Sequence, residues 1–266
     1  MINHTLLKKE WKSNYKILLI FMAVLALYAS MITSMYDPKL GDSLRVMMES
    51  MPQLFSAFGM SNPGSTLLEF LVNYLYGFLL VVFPMVFLIL LSNRLVSRYV
   101  DRGSMVFLLA TPNKRGRIIR TQILTLVSMD LCLVLFVTLL CILCSQTMFP
   151  GELEIPRFLL VNTGLWGLHI FLGGLCFLCS CLWSDSRRAT GVGAGLCIVF
   201  LLIQMVSQVG DKYEILRFAT PLTLFRPEQI ISGQTDAILG FLVLFLTGFL
   251  FFFGGSLVFC KKNLSI

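Results

Sequence analysis

Few side chains that could do chemistry lie inside the long apolar stretches of this sequence. Asp130 is the one carboxylate clearly within such a stretch, and His169 lies within another. An ionisable group in apolar surroundings is costly, so it marks a functional candidate by default. Asp130 therefore defines a possible polar site, as a contact to another helix, a proton site or part of a transport path. Because no second charge accompanies it, the sequence favours a structural hydrogen bond for Asp130 and a packed, hydrogen-bonded role for His169.

The eight cysteines also lie in or at the ends of the apolar stretches. Cys141–Cys144 and Cys176–Cys179 have the spacing of metal-ligand pairs, but they lack histidine partners at zinc spacing. Cysteine as a small, polarisable packing residue is the better interpretation, so no metal site is predicted. None of the eight lies in the middle of a connecting segment, so nothing indicates an extracellular disulfide framework.

The common catalytic motifs are absent from the sequence. It contains no G-x-x-x-x-G-K-[ST] phosphate loop, no H-E-x-x-H and no G-x-S-x-G. The chain is therefore not predicted to be an enzyme, and ATP that drives it would be hydrolysed by another polypeptide. Gly191, Gly193 and Gly195 form a G-x-G-x-G run with no strand before it, which indicates close helix packing rather than a nucleotide cradle.

The composition is that of a membrane protein. Of the 266 residues, 57% are hydrophobic and only 13% are charged, about half the charged fraction of a soluble domain. The net charge of +7 does not indicate a nucleic-acid binder, because the charges lie in short clusters between long apolar runs.

Six stretches reach the roughly 20 apolar residues that a spanning helix needs: about 17–36, 68–92, 121–146, 157–182, 191–209 and 238–259. The chain is thus predicted to be an all-α polytopic membrane protein whose single transmembrane domain occupies residues 1–266. Fifteen of its 21 lysines and arginines fall in four of the connecting and terminal segments: 1–16, 93–120, 183–190 and 260–266. Because basic residues favour cytoplasmic loops, this bias predicts a multi-pass protein of the cell membrane with both termini in the cytoplasm.

Residues 1–16 are predicted to form an interfacial helix ahead of the first span. Leu7, Trp11, Tyr15 and Leu18 repeat on one helical face, and four lysines occupy other faces. Such a helix lies in the inner membrane interface, with its aromatic side toward the lipid tails and its lysines toward anionic headgroups. A frayed basic tail whose lysines only set the topology is the alternative.

The connection between the second and third spans holds a short apolar segment bounded by charge. Ser104 can N-cap a helix over Met105 to Ala110, and Thr111–Pro112 ends it because a residue before proline avoids the helical region. One to two turns are too short to span. Such an apolar knob suits docking into a groove of a cytoplasmic partner, and packing on the protein's own spans is the alternative that these residues leave open.

The run from Asp101 to Arg115, D-R-G-S-M-V-F-L-L-A-T-P-N-K-R, resembles the signature of ABC-2 type transporter permeases. In that family an acidic residue, Gly-Thr/Ser, a Leu-Leu pair and Pro-x-x-Arg form the coupling helix that contacts the ATPase subunit. Family members usually carry Glu where Asp101 stands, so any salt bridge made by the shorter acid has less reach. The resemblance implies that the following residues couple to the ATPase: Arg98, Asp101, Arg102, Gly103, Ser104, Phe107, Leu108, Leu109, Thr111, Pro112 and Arg115.

A second resemblance lies between the fifth and sixth predicted spans. Residues 219–233 are similar to the Ser-Pro-Phe…Pro…Ile-Leu-x-Gly stretch that precedes the last span in one branch of the family. Two prolines exclude a continuous spanning helix here. We expect short re-entrant or outer-surface helices with Phe225 and Ile230 facing the bilayer.

The resemblance implies a permease subunit of an ABC-2 type exporter. Its partners would be ABC ATPase (nucleotide-binding) subunits, a second permease subunit, identical or related, and membrane lipid; ATP and Mg would be bound by the ATPase, and no cofactor by this chain. Asp185, Arg187 and Arg188 would form a second, weaker cytoplasmic contact. The alternatives are an ion- or proton-coupled secondary transporter, a membrane-embedded enzyme or a non-catalytic assembly protein. The sequence does not distinguish a peptide, drug, lipid or ion as substrate.

Overall fold

The computed structural model describes residues 2–36, 50–58, 66–105, 108, 114–209 and 211–262 of the chain. These residues form helices joined by short connections, and no strand occurs among them. In chain order the α-helices are α1 (His4–Ser34), α2 (Pro52–Ala57), α3 (Leu67–Tyr76), α4 (Leu79–Asp101), α5 (Arg115–Met148), α6 (Ile155–Leu182), α7 (Ser186–Ser207), α8 (Pro227–Ile231) and α9 (Thr235–Lys261). Within the described ranges, α1, α4, α5, α6, α7 and α9 are long and apolar enough to cross a membrane. The prediction of an all-α polytopic membrane protein with six transmembrane helices is confirmed.

Helix α1 is longer than the predicted first span. It runs from His4 to Ser34 without interruption, so the interfacial helix predicted over residues 1–16 is not a separate element. Its 31 residues extend about 46 Å, more than the roughly 30 Å hydrocarbon core. Trp11, predicted to point toward lipid, donates its Nε1–H to Ser128 Oγ of α5 at 3.2 Å. The first turns of α1 thus pack on α5. The buried face of these turns consists of Leu6, Glu10, Asn14 and Leu18, of which only Leu18 belongs to the predicted face.

The second predicted span is divided in the structure. Helix α3 ends in a π-helical stretch at Val72–Tyr76, and α4 starts again after Gly77 and Phe78. Helix α4 carries Pro84 in its interior, and a second π-helical stretch at Asn93–Ser97 extends it beyond residue 92. Proline removes a helical hydrogen bond, and π-helical turns in α-helices are frequent at functional sites. Helix α4 is therefore irregular at two points and carries its arginines on its last turns.

Helix α6 lies at the centre of the bundle. In its most apolar stretch 83% of the residues are buried, against 17% in α7 and 22% in α1. It packs most closely on α9, where glycines face the backbone of the other helix. A Cβ atom on Gly174 would lie 2.5 Å from the Gly248 carbonyl oxygen, and one on Gly248 would lie 2.6 Å from the Ile170 carbonyl oxygen. Only glycine permits this separation, so Gly174 and Gly248 allow the close packing of α6 on α9.

Helix α7 shows the opposite arrangement. A Cβ atom on Gly191 or Gly195 would meet nothing within 4 Å. The close helix packing that the sequence predicted for these two glycines is therefore absent within the described part of the chain. Gly193, between them, is buried. A Cβ atom on it would lie 3.5 Å from the Cys179 Cβ atom, which is an ordinary contact distance.

The segment before α9 consists of short helices, as predicted. Two 3₁₀ helices, Asp211–Ala219 and Pro221–Leu224, lead into α8. The predicted orientation of Phe225 and Ile230 toward the bilayer is wrong, because both side chains are buried against Gly164 of α6. The segment turns back into the bundle, since the Thr220 hydroxyl donates to the Phe200 carbonyl at 3.1 Å.

Candidate functional site

Six helix ends meet at one end of the bundle, which we call the basic end: the starts of α1, α5 and α7 and the ends of α4, α6 and α9. Hydrogen bonds join these helices in pairs. The Ser186 hydroxyl donates to Asn93 Oδ1 at 2.7 Å, and the Ser97 hydroxyl donates to the Ser180 carbonyl at 3.4 Å. The four basic segments of the sequence therefore converge in space, because they lie at these helix ends or directly beside them.

The predicted coupling residues begin at the exposed end of α4. Arg98 lies in its last turn, Asp101 ends it and Arg102 is its C-cap. Gly103 follows with φ +67°, the left-handed conformation that commonly ends a helix and that suits glycine. The Ser104 hydroxyl donates to the Tyr99 carbonyl at 3.3 Å. The glycine of the signature thus has a local structural reason, which is to turn the chain out of α4.

The predicted apolar knob is described at two residues. Met105 is buried, and Leu108 is partly buried against the hydrophobic core. The burial of these two side chains agrees with the alternative prediction, in which the segment packs on the protein's own spans. Four further predicted coupling residues lie outside the described residues: Phe107 and Leu109 of the knob, and Thr111 and Pro112 directly after it.

Arg115 belongs to a clamp between three helices. At the start of α5 it donates from Nη1 to the Lys262 carbonyl at 2.9 Å. The Lys262 amine donates to the carbonyls of Leu182 at 2.8 Å and Cys181 at 3.3 Å. Burial lowers the pKa of this amine from its usual value, and a cation at the last carbonyls of α6 complements the helix dipole. The clamp therefore links α5, α6 and α9 at the basic end.

The predicted second contact lies beside α4 at this end. Asp185 N-caps α7, accepting from the backbone N–H of Arg187 at 2.8 Å and of Arg188 at 3.5 Å. The ion pair between Asp185 and Arg188 is exposed, at 3.6 Å, and such pairs contribute at most about 1 kcal/mol. Asp185 thus has a capping function, while Arg187 and Arg188 are both exposed.

A buried polar cluster at the basic end has no counterpart in the sequence prediction. Glu10 is 1% exposed; its Oε1 accepts from the Tyr99 hydroxyl at 2.7 Å and from Gln122 Nε2 at 3.5 Å. Asn14 donates to the Glu10 carbonyl at 2.9 Å and accepts from Arg94 Nη1 at 3.2 Å. One signal could have revealed it, since Glu10 is the single acid among the lysines of the first segment and Asn14 follows one turn later.

Asp130 is not alone inside the bundle, contrary to the sequence-based view. Its Oδ1 lies 3.2 Å from Nδ1 of His169, and both side chains are buried. His169 Nε2 lies 2.9 Å from the Leu80 carbonyl oxygen. A carbonyl only accepts, so Nε2 carries the proton. Leu80 is four residues before Pro84, which has no N–H, and so the imidazole supplies the donor that the proline removes from α4. Leu80, Asp130 and His169 lie on three different helices and far apart in the sequence, so the sequence alone could not predict their contact.

A comparison with protein-family models supplies the missing classification. The model described as ABC-2 family transporter protein matches residues 5–264. This chain belongs to the ABC-2 transporter family. No curated protein and no solved structure matches it. The resemblance inferred from the signature is therefore confirmed, and the ABC-2 chain is a membrane permease of an ABC-type system, a transport component that is not itself catalytic.

The cysteines of this ABC-2 permease are free thiols. Cys176 Sγ and Cys197 Sγ are 3.6 Å apart, a thiol hydrogen bond between α6 and α7. Among the residues that the structure describes, no group of three or more His, Cys, Asp or Glu side chains could hold a metal ion. The chemistry of the described permease is therefore concentrated in its charged basic end and in the Asp130–His169 pair.

Proposed function

We propose that this chain is the permease subunit of an ABC exporter, with the basic end in the cytoplasm and ATP and Mg bound by separate ATPase subunits. The observation that carries the proposal is the exposed end of α4, because the family signature starts at Asp101, just before Gly103 turns the chain out of that helix. The convergence of four basic segments at the same end supports a cytoplasmic orientation for both termini.

The hydrogen bonds of the basic end suggest how a partner would move the spans. The coupling segment over residues 93–120 begins in the last turns of α4, which is bonded to α7 through Asn93 and to α6 through Ser97. A push on the segment would therefore reach α4, α6 and α7 together. Pro84 and the π-helical stretches give α4 points at which it can bend.

The coupling role is tested by exchanging apolar knob residues for charge. Phe107→Asp and Leu109→Asp are the informative variants, because Leu108 is partly buried against the core and its exchange would also disturb folding. We expect each variant to reduce co-isolation of the ATPase from the native source by about tenfold or more, since apolar anchors dominate interfaces. Phe218→Asp is the matched control, because Phe218 is 79% exposed on the 3₁₀ helix before α8. Unchanged co-isolation in both knob variants would remove the coupling role.

We further propose that two permease subunits pair through α7. This helix is the least buried of the spans, and Gly191 and Gly195 are four residues apart with no described residue packed on them. Small residues at this spacing let two helices approach closely in a membrane.

The dimer is tested with Gly195→Leu. We expect this variant to reduce the crosslinked dimer fraction in membranes at least several-fold, because the leucine side chain separates the two helices. Ala23→Leu in α1 is the control, since Ala23 is an exposed small residue on another span. Equal crosslinking in the two variants would place the dimer contact elsewhere.

One observation favours a second candidate, a proton-coupled secondary transporter. The buried Asp130–His169 pair is the kind of intramembrane ionisable pair that proton-coupled transporters use. The two candidates differ in their energy source. Transport by the purified chain in vesicles that is driven by a proton gradient without an ATPase would favour the second and contradict the first.

A further inference from the structure

A polar cavity of about 330 Å³ lies at the basic end between the first turns of α1 and the last turns of α4. Three arginines line it: Arg94, Arg98 and Arg102. They are spaced four residues apart, so they lie along one strip of α4. Ser13 and Ser104 add hydroxyl groups to the wall. The cavity is therefore concave, basic and rich in hydrogen-bond donors.

The positive charge of this cavity is not balanced within the described residues. None of the three arginines has an Asp or Glu oxygen within 4.0 Å there. Glu10 also lines the cavity, but its carboxylate already accepts hydrogen bonds from Tyr99 and Gln122. Lys9 adds a further cation, 5.7 Å from the centre of the Tyr99 ring. Three guanidinium groups facing one engaged carboxylate leave a site that attracts an anion.

Two of the side chains that line the cavity, Glu10 and Asn14, are buried and hold their neighbours in place. Asn14 is 2% exposed; it holds the Arg94 guanidinium by a 3.2 Å hydrogen bond and is fixed by its own bond to the Glu10 carbonyl. Guanidinium groups present paired N–H donors that match the oxygens of a phosphate. An arginine oriented in this way is prepared for such a ligand before the ligand arrives.

The position of the cavity along α1 points to the source of the phosphate. The apolar surface of α1 continues beyond the cavity on the Ser13 face, at the partly exposed Ile17 and at Ile20, which is 62% exposed. Ile17 is four residues from Ser13, about 6 Å along the helix axis. This distance matches the roughly 5–8 Å depth of one headgroup layer. A lipid whose acyl chains lie along Ile17 and Ile20 would place its phosphate at the arginines.

We propose that this cavity binds the phosphate of an anionic phospholipid headgroup. The bound headgroup would offset part of the charge of the three neighbouring arginines and hold α1 against the end of α4. Because the coupling segment leaves α4 directly after Arg102, lipid would thereby set the position from which the segment starts. The assignment of an inner-leaflet lipid rests on the proposed cytoplasmic orientation, whereas the anion site itself rests only on the cavity.

The test is lipid binding by the full chain without any ATPase, so that its outcome is independent of the coupling role. The purified chain in neutral detergent is titrated with phosphatidylglycerol and, separately, with phosphatidylcholine, and binding is followed by native mass spectrometry. We expect preference for phosphatidylglycerol. Arg98→Gln should weaken its binding about tenfold, since a charge-assisted hydrogen bond to an anion is lost. Arg120→Gln is the matched control, because Arg120 is an exposed arginine near the start of α5 with the same change in charge.

A second variant and two competitors complete the test. Arg102 is exposed, so Arg102→Gln should fold normally and still weaken phosphatidylglycerol binding. Equal weakening by Arg98→Gln and Arg120→Gln, or none by either cavity variant, would overturn the proposal. Displacement of the lipid by millimolar inorganic phosphate would identify a free anion as the occupant. Loss of the lipid on adding the ATPase would assign the cavity to an acidic side chain of that partner.

Discussion

The contacts of His169 show how one side chain resolves two problems inside the bundle. Pro84 leaves the Leu80 carbonyl without its helical donor, and Asp130 is a buried acid. His169 lies 2.9 Å from that carbonyl on one side and 3.2 Å from the carboxylate on the other. The imidazole therefore connects α4, α5 and α6 at one point.

A double-mutant cycle tests whether His169 replaces the donor that Pro84 lacks. We expect His169→Leu to destabilise the protein by about 2–5 kcal/mol, because it leaves Asp130 and the Leu80 carbonyl unpaired. In the Pro84→Ala background the new backbone N–H satisfies Leu80, so the penalty should fall by about 1 kcal/mol. The measurement is unfolding of the detergent-solubilised chain. An identical penalty in both backgrounds would show that the proline break is not what His169 stabilises.

At the scale of the element, the contact between α6 and α9 is sensitive to side-chain size. Gly174 and Gly248 allow the two backbones to approach. Gly255 extends the contact, since a Cβ atom on it would lie 3.2 Å from the Phe177 ring. Without these glycines the helices would have to separate by the depth of a methyl group. Dispersion contacts, which dominate helix association in lipid, would be lost along the whole interface.

Gly248→Ala is the corresponding test. Its new methyl group would lie 2.6 Å from the Ile170 carbonyl oxygen, so we expect destabilisation by about 1–3 kcal/mol. Gly254→Ala in the same helix is the control, because its Cβ atom would first meet a leucine methyl of Leu178 at 3.9 Å. Thermal unfolding in one detergent should separate the two variants, and a similar melting temperature for both would contradict the close approach.

At the scale of the whole molecule, hydrogen bonds between residues far apart in the sequence hold together the helix ends that form the basic end. Arg115 reaches the Lys262 carbonyl, and the Lys262 amine reaches the last carbonyls of α6. The clamp thus joins the start of one span to the ends of two others. A displacement applied at the coupling segment would therefore act on α5, α6 and α9 through Arg115 and Lys262.

Lys262→Ala should therefore destabilise the protein by about 1 kcal/mol, because two carbonyls lose their donor. Lys261→Ala is a control one position away, since Lys261 is exposed and surface changes usually stay within about 0.5 kcal/mol. Thermal unfolding of both variants beside the parent chain is the measurement. A larger effect at Lys261 would show that the clamp contributes nothing.

Much of the fold could be predicted because the bilayer imposes simple rules on the sequence. A long apolar run that crosses the bilayer is expected to form a helix, since lipid offers the backbone no hydrogen-bond partners and a helix satisfies them internally. The predicted stretch 157–182 corresponds to α6, and the prolines near Phe225 do interrupt the chain before α9. The predicted side-chain orientations of Trp11 and Ile230 were wrong, because the neighbours of a side chain depend on helix packing rather than on its own hydrophobicity.

The sequence by itself determined the class of the protein, its six spans and the family to which its signature belongs. These follow from local properties: hydropathy over about 20 residues, proline and glycine at fixed offsets, and charge near span ends. Only the tertiary structure decided that Asp130 meets His169, that Glu10 is buried beneath Tyr99, and that three arginines of α4 face α1 across a cavity. Those partners are separated by dozens of residues in the chain, so they could be identified only once helix packing had brought them together.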